Sequence, residues 1–199
     1  NGGYENYRSM LSYIRKYIDG KLISAPEPHP LIEKIYGLFY HSDPKNADAE
    51  DLQFNTVSEY HAFLKHNGLW KAQAPAVLIT GSIGEPRELI ARLEATGNMV
   101  YPVNSIKALI EEHHADSIRV AAVVNMAHGR MGDNVVEFLR NRNIPLFAPL
   151  NVNRTVQSWE KDKMGMSGGF LSQSIVTPEI DGALRSFALF GHFLGEDGL

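Results

Sequence analysis

Apolar residues recur at Tyr7, Leu11, Ile14 and Ile18 in steps of three and four, a spacing that predicts an amphipathic helix stopped by Gly20. Three prolines between Ser24 and Pro30 then predict an extended connector. Asp43 to Asp51 is polar and turn-rich. Thr56-Val-Ser-Glu59 has the form of a capping box, which predicts a helix to Asn67 ended by Gly68. From residue 75 the pattern becomes regular. Ala76–Thr80, Met99–Tyr101, Ile118–Val124 and Ile144–Ala148 are short apolar runs that read as strands, and Ser174–Val176 reads as a fifth. Ile118–Val124 is apolar at nearly every position, as in a parallel strand buried on both faces. Between the runs, Pro86 opens a helix that Gly97 closes, Ser105 caps one to His114, and Asp133 caps one to Asn141. A short helix begins at Thr155 and carries Trp159.

Strands alternating with helices of about ten residues predict βαβ units. The expected class is α/β: a doubly wound, mostly parallel sheet with helices on both faces. Residues 1–30 are expected to form an N-terminal helix and Pro-rich connector, and residues 31–199 the α/β domain, the whole being a piece of a longer chain. In open parallel sheets ligands bind outside the carboxyl ends of the strands. Five segments should meet there: Thr80–Glu85, Pro102–Ser105, Asn125–Gly132, Pro149–Arg154 and Thr177–Gly182.

Composition narrows the chemistry. The chain of 199 residues is 44% hydrophobic and 21% charged, ordinary for a globular protein with a real core. Its formal net charge of -4 and lack of a basic cluster argue against nucleic-acid binding. No apolar run approaches the roughly 18 residues of a membrane span. Cysteine is absent, which excludes disulfides and thiolate metal sites and fits a cytoplasmic location.

Thr80-Gly-Ser-Ile-Gly-Glu85 could offer backbone N–H groups to an anion, but it lacks both the third glycine of a dinucleotide fingerprint and the Gly-Lys-Ser/Thr of a phosphate loop. No bound nucleotide is expected. Gly165-Met-Ser167-Gly-Gly169 matches the form of a nucleophile elbow, but a polar stretch precedes it where a strand is required. Of the eight histidines, His113 and His114 are adjacent, and His61 and His66 are five apart; neither pair shares a helical face. His128, in Asn125-Met-Ala-His-Gly-Arg-Met-Gly132, lies on the predicted binding edge, where imidazole could ligate a metal axially or exchange protons. Glu179 and Asp181 stand after Pro178 and before Gly182 at a predicted strand end. They could accept protons or hold a divalent cation; equally, they could cap backbone N–H groups and balance Arg185.

Taken in order, several stretches resemble the cobaltochelatase large subunit and magnesium chelatase H subunit family. They are Leu89-Ile-Ala-Arg-Leu-Glu-Ala-Thr-Gly97 with Val100-Tyr-Pro-Val103, Val123-Val-Asn125, Ile144-Pro-Leu-Phe-Ala-Pro-Leu150, Ser158-Trp159-Glu160, Met164-Gly165-Met166 and Pro178-Glu-Ile-Asp-Gly182. Tyr40-His41 with Asp43 is an earlier echo, and the resemblance spans about residues 30 to 190. It implies a domain of a tetrapyrrole metal chelatase, an ATP-dependent, ligase-type enzyme that inserts cobalt or magnesium into a corrin or porphyrin ring, as in cobalamin biosynthesis. ATP would be hydrolysed by partner subunits, and this stretch alone is expected to be inactive. The chain departs from the family at Met126 to Met131, so His128 and Arg130 are not carried over from it.

Metal insertion requires loss of two pyrrole protons and stripping of water from the cation, tasks that suit carboxylates. Glu179 and Asp181 are therefore the catalytic candidates, and His128, Arg130, Arg154 and Trp159 the candidates for substrate binding, the arginines toward ring propionates. The metal, cobalt, magnesium or haem iron, would be substrate or product. A related branch is thought to remove iron from haem, and His128 would suit a haem ligand. A different reading is a structural or subunit-docking module without its own site, with acidic loops such as Asp43–Asp51 serving the docking.

Overall fold

The computed structural model describes residues 4–25, 37–41, 51–80, 86–112, 117–127, 129–184 and 188–192. The chain divides into two compact units, residues 1–34 and 35–199. The first contains helix α1 (Tyr4–Tyr17), on which Tyr7, Leu11, Ile14 and neighbouring apolar side chains are at least partly exposed.

In the second unit, strands β1 (Leu38–Tyr40), β2 (Leu52–Phe54), β3 (Ala76–Thr80), β4 (Met99–Val103), β5 (Val120–Asn125) and β6 (Leu146–Phe147) form one sheet in the order β2-β1-β4-β3-β5-β6. The β4-β3-β5-β6 portion is parallel, and β1 runs antiparallel to both β2 and β4. Pro102 in β4 has no N–H to donate, and β1 meets β4 at a single register pair, Leu38 with Val103.

Helices α2 (Val57–His66), α3 (Arg87–Ala95), α4 (Ile106–Glu112) and α5 (Asp133–Asn141) cover the sheet. Side chains alternate across a strand, and β3 shows the consequence. Ala76 and Leu78 join a core with Tyr60 and Leu64 of α2, Leu109 of α4 and Val135 and Leu139 of α5. Val77 and Ile79 join a second core with Ile90 of α3 and Val100. Helices thus lie on both faces, as the doubly wound reading requires. β3 leads into α3 on one face and β5 into α5 on the other, so the connections part between the adjacent strands β3 and β5. That is a topological switch point, where such sheets open a crevice at their carboxyl edge.

Local signals account for several boundaries. Thr56 accepts from the Glu59 N–H while the Glu59 carboxylate accepts from the Thr56 N–H, the reciprocal box predicted for α2. The Ser105 hydroxyl accepts from the Ala108 N–H at the start of α4. Two expectations need correction. The residue before α5 is Gly132 at φ 94°, a conformation that favours glycine, so Asp133 is the first helical residue rather than the cap. β5 is not buried throughout: Ala121 is exposed and only Val123 and Asn125 are fully buried, because its outer neighbour β6 has just two residues.

After β6 come β7 (Leu150–Thr155) and α6 (Val156–Lys161), which carries Trp159; β7 pairs in parallel with β8 (Ala188–His192). The largest departure follows. Ser174–Val176 is not a fifth strand but lies in a helical run of α7 (Gly168–Leu171), a π-helical segment (Ser172–Val176) and α8 (Thr177–Ile180). Pro178 explains the widened turn. It cannot donate to the Ser174 carbonyl and its ring would clash there, and a π turn relieves both constraints. The Thr177 hydroxyl donates to the Ser172 carbonyl within the same turn.

Candidate functional site

Glu179 and Asp181 therefore end a helix rather than a strand. Asp181 is its C-cap, and Gly182 at φ 82° turns the chain so that the Gly182 and Ala183 amides close on the carbonyls of Glu179 and Pro178. The chain then rejoins the sheet edge, the Leu184 N–H donating to the Leu146 carbonyl at 2.8 Å.

This return carries Asp181 to the loop leaving β5. Its carboxylate, wholly removed from solvent, accepts from Arg130 Nε at 2.7 Å and from the Met131 N–H at 2.7 Å. Arg130 also donates through Nη2 to Asp133 at 2.8 Å. The hydrogen bond to Asp181, with the carboxylate charge behind it, raises the Arg130 pKa further above its already high value. One residue earlier in the loop, the Gly129 N–H donates to the Gln173 carbonyl in the π-helical segment. At the root of the loop, the Met126 N–H donates to the Thr80 carbonyl at 2.7 Å, and Asn125 Oδ1 accepts from the Ala127 N–H. The β5 loop is thus pinned to β3 at its start and to the π-containing helix further along.

Of the predicted site residues, Asp181 and Arg130 are brought together as an ion pair. Arg130 spends two N–H groups on carboxylates and keeps further N–H directions on a partly exposed guanidinium. Glu179 is exposed. Trp159 is half-buried on α6. Arg154 belongs to β7 by its backbone. His128, His113, His114, Asp43, Arg185 and residues 81–85 lie outside the described residues. Among the described residues, no three His, Asp or Glu side chains converge on one point as metal ligands. No described helix is long and apolar enough to cross a membrane.

A second polar cluster went unread in the sequence. His41 and Asp51 directly follow and precede the register pair Tyr40–Leu52, so the antiparallel β1–β2 ladder sets them opposite each other. His41 Nδ1 lies 2.7 Å from Asp51 Oδ1, and Arg87 Nη2, from the first residue of α3, is 2.7 Å from the same oxygen. The His41 side chain is 2% exposed, and its Nε2 is buried with no hydrogen-bond partner among the described residues. Leaving such a group unsatisfied costs about 1–3 kcal/mol. Tyr40-His41 was visible as a pair, but Asp51 and Arg87 come from segments whose meeting only the fold reveals.

The CobN/Magnesium Chelatase family model matches residues 1–197. The chain belongs to this family. As a member, it also resembles a solved structure, the catalytic subunit of cobaltochelatase from Mycobacterium tuberculosis, with a TM-score of 0.52 and 15% identity over 100% of this chain. At that identity the likeness concerns the fold. The chain spans 16% of the length of that subunit. Among curated proteins, none matches it in sequence.

Proposed function

We propose that this chain is a tetrapyrrole-handling domain of a metal chelatase large subunit, one that serves cobalt or magnesium insertion while separate subunits hydrolyse ATP. The observation that carries this reading is the family match across residues 1–197. The carboxyl edge supplies chemistry that suits it. Glu179 is the solvent-facing carboxylate, able to take a pyrrole proton or replace water on an arriving cation. Asp181 holds Arg130 and the β5 loop in place, and the remaining guanidinium N–H groups of Arg130 suit a ring carboxylate. Asp181 is then a positioning residue, and Glu179 and Arg130 are the groups that meet substrate.

The test is metal insertion and porphyrin affinity in the full-length subunit with its ATPase partners. Glu179→Gln is expected to slow insertion about 100-fold with porphyrin affinity kept. Arg130→Ala is expected to weaken porphyrin binding. Undiminished insertion and affinity in both variants would overturn the assignment.

A further inference from the structure

The His41 cluster sets one imidazole nitrogen against a carboxylate and leaves the other without a partner among the described residues. Asp51 Oδ1 stands 2.7 Å from Nδ1 and Arg87 pairs with the same oxygen; an imidazole that gives its Nδ1 proton to this carboxylate presents its lone pair at Nε2. Metal-ligating histidines are oriented in this way, the distal N–H given to a carboxylate and the other nitrogen left for the ion. Here that nitrogen is buried and has no hydrogen-bond partner among the described residues. A bare cation would need three or four protein ligands, and no such group exists among the described residues. A metal already seated in a tetrapyrrole has four ring nitrogens and needs only one axial donor from the protein.

We propose that His41 Nε2 is an axial ligand for the metal of a metallated tetrapyrrole, with Asp51 and Arg87 fixing its tautomer and orientation. This rests on the tetrapyrrole reading above, and it assigns a role at the metallated end of the reaction, where product leaves or a metal-loaded ring enters. Nε2 is closed to water in this structure, so it must become accessible before the ring can approach.

Ferric haem and metal-free protoporphyrin, titrated separately into the 199-residue chain, distinguish the two claims. The expected result is binding of both rings, with an imidazole-type Soret band for haem. His41→Gly is expected to lose that band and weaken haem binding at least ~10-fold, with protoporphyrin affinity unchanged and the band restored by free imidazole. Asp51→Asn keeps the imidazole, and is expected to lower haem affinity about 10-fold and weaken the iron–histidine stretch in the ferrous resonance Raman spectrum. It carries the test if His41→Gly fails to fold. Haem binding and spectra indifferent to both substitutions, with protoporphyrin still bound, would overturn the axial-ligand role alone. A wild-type chain that binds neither ring would overturn this inference and the tetrapyrrole reading together.

Discussion

Two carboxylates two residues apart have different fates because one is the cap of a helix and the other precedes it. Asp181 is buried and accepts from Arg130 and the Met131 amide, whereas Glu179 faces solvent. Spacing could not separate them, since both follow Pro178 on the same turn. The difference predicts a difference in stability. Asp181→Ala leaves the Met131 N–H without its acceptor and is expected to cost about 1–2 kcal/mol in urea unfolding. Glu179→Ala is expected to stay within about 0.5 kcal/mol of the unaltered chain. Equal unfolding midpoints for the two variants would show that the Asp181 contacts do not hold the β5 loop. At the same scale, the pairing of Arg130 with Asp181 was unreadable because the partners lie 51 positions apart.

Elements with strong local signals were legible, and those set by distant contacts were not. The capping box of α2, the apolar runs of β3 and β4 and the turn glycines stand in the sequence as they stand in the fold. β1 and β2 have three residues each, too few to show a period, and exist because they pair with each other and because β1 also pairs with β4. Ser174-Ile-Val176 carries β-branched residues that favour a strand, but the helix that starts at α7 runs through it and Pro178 makes it π-helical. The carboxyl-edge address of the 177–182 turn was correct even though the element bearing it was not, because Asp181 does reach the β5 loop. The α2 cap offers a direct test of local control. Thr56→Ala removes the acceptor for the Glu59 N–H and is expected to destabilise the domain by about 1 kcal/mol, whereas Thr56→Ser should be nearly silent. Matching losses for Ala and Ser, read by thermal unfolding, would exclude capping as the cause.

At the scale of the whole domain, the core under α2 is bordered by two ionisable groups that bend stability with pH in opposite senses. Glu94, on α3, lines a cavity of about 140 Å³ with Tyr60, Leu64, Met99 and Val100. Burial raises its pKa above the ordinary value, with Lys71 pulling partly the other way. The folded chain therefore holds the Glu94 proton more tightly than the unfolded chain does. This contribution is full below the ordinary carboxyl pKa and is lost as pH rises through the folded value. His61, on α2, meets the Tyr101 hydroxyl at 3.0 Å and packs against Trp70 with the rings tilted at 60°. Burial, with Lys65 adding to it, lowers its pKa below the ordinary 6.5. Its contribution is present above pH 6.5 and is lost as pH falls through the folded value. Glu94→Gln removes a penalty that acts only when the carboxylate is charged. It is therefore expected to raise the unfolding midpoint at pH 7 and to match the unaltered chain at the acid end. His61→Gln is expected to flatten the loss of stability on the acid side of pH 6.5 without changing the slope above it. Urea unfolding from pH 4 to pH 8 separates the two. A Glu94→Gln midpoint that exceeds the unaltered chain equally at every pH would assign the gain to packing around the cavity instead of to charge.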